Sequence, residues 1–382
     1  MPGFNDIAQE VIDMIIDAAA DSFKGEDRRD VLSAMSLTCK QMLPQARVRL
    51  FKGISFYGNS GRPGLNGWCD YRDGNQGSLK LQAPTVTKVV KEITYLGLLN
   101  DGGSHRHAEK YLKEFTSVDK LHVGKDCKNW NDIELLEPAV GRGVGTQIRF
   151  LRLSSYILNA NGLVSYLFLF PRLEYLEMID ICIKDGAFQP GTQSLPEFKG
   201  VLRLAPWREI DEDFYGFLEM LASLPTDMKY SHIILGHGAD EGSLHDCLGR
   251  FLLKSEDTLK CLDIYSESIL AHIGCAHVDP VLGDWGPVDL TSLGRLKKVA
   301  IHLARYDPIS AWEIIQNLPL NRIDLLLVVH PDLLDPNESE KYSQGWNCLD
   351  LALASYVIVG RSKEKPLPSS TWFRTAVTMM LI

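Results

Sequence analysis

Two hydrophobic rhythms divide the chain. Near the start, Ile7, Val11, Ile15 and Ala19 recur at helical spacing, with Ile12 and Ile16 beside them. Asp6 followed by Gln9 forms an Asp version of the capping box ahead of this run. The apolar stripe is wider than a helix needs against a single neighbour. A polar stretch from Asp21 to Asp30 reads as a loop. Val31, Leu32, Met35 and Leu37 then predict a second helix. Met42, Leu43, Ala46 and Leu50 predict a third over about residues 40–50, with Pro44 in its first turn, where a missing N–H costs little. Three helices this short cannot bury all of this apolar surface among themselves. The surplus is expected to cover the following domain or a partner.

From about Val86 the rhythm changes. An apolar residue, two others, an apolar, one other and an apolar recur as Val90-x-x-Ile93-x-Tyr95, Val118-x-x-Leu121-x-Val123, Ile148-x-x-Leu151-x-Leu153 and Leu173-x-x-Leu176-x-Met178. Phe198-x-x-Val201 starts another, slipping so that Leu202 and Leu204 alternate. The pattern continues at Tyr230-x-x-Ile233-x-Leu235, Leu259-x-x-Leu262-x-Ile264, Leu296-x-x-Val299-x-Ile301, Leu320-x-x-Ile323-x-Leu325 and Ala354-x-x-Val357-x-Val359. The mean step is about 29 residues, at the upper edge of the leucine-rich repeat range of roughly 20–29. Helical patterns lie between the strands, most clearly at Ala108–Phe115, Phe214–Leu221, Leu244–Leu252 and Ile309–Leu318.

Strand, turn, helix and strand at near-constant spacing predict parallel strands with right-handed crossovers. An array of such units is an α/β solenoid, here an irregular horseshoe. The standard repeat carries Asn or Cys three residues after the last apolar. Asp126, Tyr156, Ile181, Glu267 and Ala304 stand there instead, so the repeat is degenerate. A flat doubly wound sheet is the alternative, although ten similar strands are many for one sheet. The expected division is a helical domain at 1–57, a Gly-rich loop at 58–85, the repeat array at 86–365 and an apolar C-terminal tail at 366–382.

Charge narrows the function. The net charge is −9, from 40 Lys and Arg against 49 Asp and Glu, which argues against a nonspecific nucleic-acid binder. No apolar run approaches the roughly 18–20 residues of a membrane-crossing helix. The acidic start lacks the basic residues of a secretory signal, so a cytoplasmic or nuclear protein is expected. The 8 cysteines are irregularly spaced with no C-x-x-C pair, which suits free thiols.

Several constellations resemble chemistry without its geometry. His232, His237, Asp240, Glu241, His245 and Asp246 fall close together, but at spacings that straddle a strand, a loop and a helix. Gly141-Arg142-Gly143-Val144-Gly145 precedes a strand, whereas a dinucleotide loop follows one and opens a helix. Glu209, Asp211, Glu212 and Asp213 lie just ahead of a helical pattern and suit capping. The Gly58–Ser78 stretch lacks the Lys-Ser/Thr end of a phosphate loop. No catalytic residue, cofactor or metal site is expected, and a hydrolase with dispersed catalytic residues is the weakest hypothesis.

The N-terminal helices resemble the F-box. The corresponding stretches are Ile7-Ala8-Gln9-Glu10-Val11-Ile12-Asp13-Met14-Ile15-Ile16, then Leu37-Thr38-Cys39-Lys40-Gln41-Met42, then Arg49-Leu50-Phe51. They look nearest to the F-box-like proteins of mushroom-forming fungi, whose third helix tends to carry Leu-Pro, as Leu43-Pro44 do here, and to end in Leu-Phe. Ala8 replaces the family's proline and Met42 its tryptophan. The resemblance covers about 50 of the 382 residues. It implies docking on a Skp-type adaptor and through it a cullin ubiquitin ligase. The implied anchors are Ile7, Val11, Ile12, Ile15, Leu32, Met35, Leu37, Cys39 and Met42, about half of which are expected to be internal to the bundle. The repeat array would then hold a target protein on its concave strand face. Residues alternating with the buried apolars there are Arg152, Ser154, Glu177, Asp263, Tyr265, Lys298, His302 and Asp324. The expected protein is thus a substrate-recognition subunit, not an enzyme. The alternative is a repeat scaffold without ligase function, in which the helices only cap the array.

Overall fold

The computed structural model describes residues 7–23, 25–57, 69–70, 87–97, 112–125, 138–158, 160–183, 198, 200–205, 218–219, 221–222, 230–237, 243–266, 289–303, 314–318 and 323–329. The predicted cap Asp6, the Ala354–Val359 repeat and the 366–382 tail lie outside these residues. No helix among the described residues is long and apolar enough to cross a membrane.

The N-terminal segment forms three helices, α1 (Gln9–Ser22), α2 (Gly25–Thr38) and α3 (Leu43–Leu50). Helical spacing puts Ile12, Ile16 and Ala20 on one face of α1. These residues pack with Leu32, Met42 and Ala46, and Ile7, Met35, Cys39 and Leu50 lean on the same cluster. The polar stretch expected to be a loop is shorter than its charge suggested, because α2 begins at Gly25. Pro44 occupies the first turn of α3 as the pattern predicts. Arg49, which suits a helix C-terminus, also has a tertiary partner: its Nη2 and Nε each lie 2.6 Å from the Asp17 carboxylate. Gln45 Nε2 donates to the same carboxylate at 2.8 Å. These hydrogen bonds, Arg49 foremost, hold Asp17 below the usual carboxylate range and clamp α1 to α3.

The rest is a mixed α/β structure built on parallel strands. Two compact units divide the chain, residues 1–156 with 165–173 and residues 157–164 with 174–382. The first holds β1 (Gly53–Tyr57), β2 (Cys69–Asp70), β3 (Glu92–Gly97), β4 (Lys120–Lys125) and most of β5 (Phe150–Leu158). They pair in parallel in the order β2-β1-β3-β4-β5. Cys69–Asp70 falls in the stretch expected to be loop only, and it adds to the outer edge of β1. The second unit holds β6 (Tyr175–Ile183), β7 (Val201–Ala205), β8 (His232–His237), β9 (Cys261–Ser266), β10 (Lys298–Leu303) and β11 (Asp324–Val329). These pair in parallel in strict chain order.

The register stacks the repeat positions into rows. Ile93, Leu121 and Leu151 align in the first unit. Leu176, Leu202, Ile233, Leu262, Val299 and Leu325 align in the second. All of these but the last are buried. The slip to Leu202 and Leu204 is therefore real. The last repeat differs from expectation: spacing places Ile323 in this row, but Leu325 lies opposite Val299. The Asp324 N–H donates to the Lys297 carbonyl at 2.7 Å, and this bond sets the register two residues later.

Several strands are entered through tight turns. Leu112-x-x-Phe115-x-x-Val118, Leu167-x-x-Phe170-x-x-Leu173 and Leu290-x-x-Leu293-x-x-Leu296 carry apolars every third residue. The Phe115, Phe170, Leu173, Leu293 and Leu296 N–H groups each donate to the carbonyl three residues back. That spacing puts successive apolars on one side of the turn, so a period of three feeds a period of two. Two glycines permit close packing. A Cβ on Gly145 would collide with the Leu169 carbonyl oxygen, and one on Gly200 with that of Glu174, which accepts the Val201 N–H.

Of the expected helices, Leu244–Leu252 matches the helix Ser243–Leu253. The described part of Ala108–Phe115 ends in the Leu112 turn, while Phe214–Leu221 and Ile309–Leu318 are described only in short helical pieces. The glycines 141, 143 and 145 fall in a helix, Pro138–Val144, and the 3-10 turn Gly145–Gln147 that follows it. A further helix, Ala160–Leu167, has no counterpart among the expected elements.

Candidate protein-docking surfaces

The anchors implied on the helices separate into three groups. Ile12, Leu32 and Met42 are core residues, with Ile12 fully inaccessible, and they are corrected from docking anchors to bundle packing. Ile7, Met35 and Cys39 are half-buried against that core. Val11, Ile15 and Leu37 face outward, at 47%, 43% and 85% exposure. Met14, 70% exposed, was not among the expected anchors. Its signal was present: Val11, Met14, Ile15 and Ala18 sit at i, i+3, i+4 and i+7, the spacing of one helix face. α1 therefore carries two apolar faces. The face with Ile12, Ile16 and Ala20 is packed, and the face with Val11, Met14 and Ile15 is open.

Three of the alternating strand positions, Ser154, Glu177 and Asp263, meet a side chain of a neighbouring strand. In the first unit His122 lies opposite Arg152 in the register, and its Nε2 is 2.8 Å from Ser154 Oγ. Burial, with the Arg152 charge adding to it, pulls His122 down to about 4, so the imidazole is neutral at physiological pH. In the second unit Glu177 is buried, and Arg203 Nη1 reaches its carboxylate at 2.9 Å. Glu177 is therefore corrected from a target contact to half of an ion pair across β6 and β7. Asp263 Oδ2 lies 3.0 Å from His232 Nε2. Lys298 and Asp324 are exposed and are register partners. Tyr265 and His302 are also register partners, and their side chains are outside the described residues.

His122, Arg203 and His232 are the partners that reading single strands missed. Each sits one repeat away from the residue it pairs with, so only an alignment of successive repeats brings them together. Among the described residues no group of three or more His, Cys, Asp or Glu could hold a metal ion. His232 belongs with Asp263; the side chains of His237, Asp240, Glu241, His245 and Asp246 lie outside the described residues. Cys39, Cys247 and Cys261 are free thiols.

No protein-family model matches the chain, and no curated protein matches it. The functional reading rests on the chain's own chemistry.

Proposed function

We propose that this protein is a substrate-recognition subunit of a Skp-cullin-F-box ubiquitin ligase. In this reading the N-terminal helices are an F-box-like domain that docks on a Skp-type adaptor. The parallel-strand repeats are an irregular leucine-rich-repeat solenoid that holds a target protein. The chain performs no bond chemistry of its own; it raises the effective concentration of the target near the transfer machinery.

The observation that carries the reading is the open apolar face of α1, Val11, Met14 and Ile15, on a bundle whose core is already complete. An amphipathic helix laid into a partner's groove uses this spacing. A cap that merely sealed the first repeat would bury this face, so its exposure favours docking over the scaffold alternative. The strict chain order in the second unit and the aligned apolar rows support the solenoid.

The test is co-purification of the full-length protein with a Skp-type adaptor, beside a Val11→Asp/Ile15→Asp variant. Both substituted positions are exposed, so the variant keeps its fold. Stoichiometric binding lost in the variant is expected. A folded wild-type protein that does not bind contradicts the proposal.

A further inference from the structure

We infer that the surface meeting α1 belongs to a different protein and carries a cationic rim beside an apolar groove; this rests on the docking role proposed above. α1 reads QEVIDMIIDAAADS, with Glu10, Asp13, Asp17 and Asp21 and no Lys or Arg. Two of these acids are engaged within the bundle. Asp13 accepts the Gln9 side-chain amide at 2.8 Å, and Asp17 is held by Arg49 and Gln45. Glu10 and Asp21 are exposed, and neither has an ion pair among the described residues; Asp21 feels Arg49 only at longer range.

Their placement is one-sided. At about 100° per residue, Glu10 lies roughly 40° and Asp21 roughly 20° around the helix from Met14, both on the side away from Ile15. The opposite flank holds Ala8, Ala19 and Ser22 and no charge. The open face is therefore apolar, with one acidic edge.

That edge selects the occupant. A second copy would place the Glu10 and Asp21 edge either against the same edge, in an antiparallel pairing, where like charges at a partly desolvated contact weaken it, or beside the uncharged Ala8, Ala19 and Ser22 flank, in a parallel pairing, where nothing neutralises it. A groove with Lys or Arg along one side complements the edge and fixes the direction in which the helix lies.

The test measures binding of the full-length chain to a purified Skp-type adaptor at about 50 and 500 mM salt, for wild type, Glu10→Gln/Asp21→Asn and Val11→Asp/Ile15→Asp. The free chain's oligomeric state is measured alongside. The wild-type affinity is expected to fall about 5–10-fold from low to high salt, because screening shortens the reach of exposed charges. The neutralised variant is expected to bind about 5–10-fold more weakly than wild type at low salt and equally at high salt. Unchanged or tighter binding by the neutralised variant at low salt, with the apolar variant abolished, overturns the cationic rim and leaves the docking role standing. Self-association of the free chain through this face overturns the inference of a different partner. Absence of wild-type binding, or all three proteins binding alike, overturns both the rim and the docking role.

Discussion

The helical bundle and the strand ladder treat their second faces in opposite ways. Each strand from β4 to β10 buries two alternating apolar positions and turns the row between them to the other face. Three pairs in that row are tied laterally, His122 with Ser154, Glu177 with Arg203 and His232 with Asp263. A repeat array supplies its own partners because each strand has a similar neighbour. Among the described residues, α1 packs on α2 and α3. They cover Ile12, Ile16 and Ala20 and leave Val11, Met14 and Ile15 open. The surplus apolar surface therefore falls on a helix, which has no repeating neighbour to pair with.

The comparison breaks most severely where rows are cut. Ile233→Ala, in the middle of the apolar row, is expected to cost about 3–4 kcal/mol of stability. Met14→Ala, on the open face, is expected to change it by less than about 0.5 kcal/mol. Denaturant titration of both variants measures the contrast; equal losses would mean that the α1 face is packed after all.

The next effect is in pH. His122 has a folded value of about 4 against an ordinary 6.5, so below pH 6.5 the unfolded chain binds a proton that the folded chain refuses. The contribution is full above pH 6.5 and is lost as the pH falls towards 4. Asp17 and Asp289, both lowered by hydrogen bonds to their carboxylates, lose their contributions only below about 4. A His122→Gln variant should therefore show a flatter urea midpoint between pH 6.5 and 4 than wild type. Parallel curves would place His122 in a less buried setting.

Gly200→Ala should cost about 2 kcal/mol, since its Cβ would run into the Glu174 carbonyl oxygen, while Gly294→Ala meets open space and should cost far less. Thermal melts of the pair compare them directly. The smallest effect is a gain. Tyr230 is buried between Phe198 and Phe251, and its hydroxyl finds no hydrogen-bond partner among the described residues. Tyr230→Phe should stabilise the protein by about 1 kcal/mol by removing an unpaired buried hydroxyl. A loss of stability would reveal a partner for that oxygen.

Much of this was legible in the chain. The wide stripe on α1 announced two apolar faces, and the repeat unit announced strands whose apolar positions align. What was not legible depends on tertiary pairing. Ile323 and Leu325 both fit the strand rhythm, and only the bond from Asp324 to Lys297 chooses between them. Cys69–Asp70 has no strand signature of its own and is a strand only because β1 offers an edge. The helix Ala160–Leu167 carries no charge, and the short apolar run from Leu163 to Phe170 does not by itself tell a buried helix from a strand. Glu177 looked like an exposed alternate position. Its burial follows from Arg203, 26 residues on, which the repeat step carries to its side. On α1, the resemblance to a known helix pattern favoured Ile12 over Met14, whereas position around the helix favours the reverse.

The most direct test of the central claim is the oxidation rate of Met14 in the full-length protein, with and without a Skp-type adaptor. An exposed methionine converts readily to its sulfoxide, and a covered one is protected. Met14 should oxidise quickly in the free chain and slowly in the complex, while the buried Met42 stays slow in both. Equal oxidation of Met14 with and without saturating adaptor would contradict docking through α1.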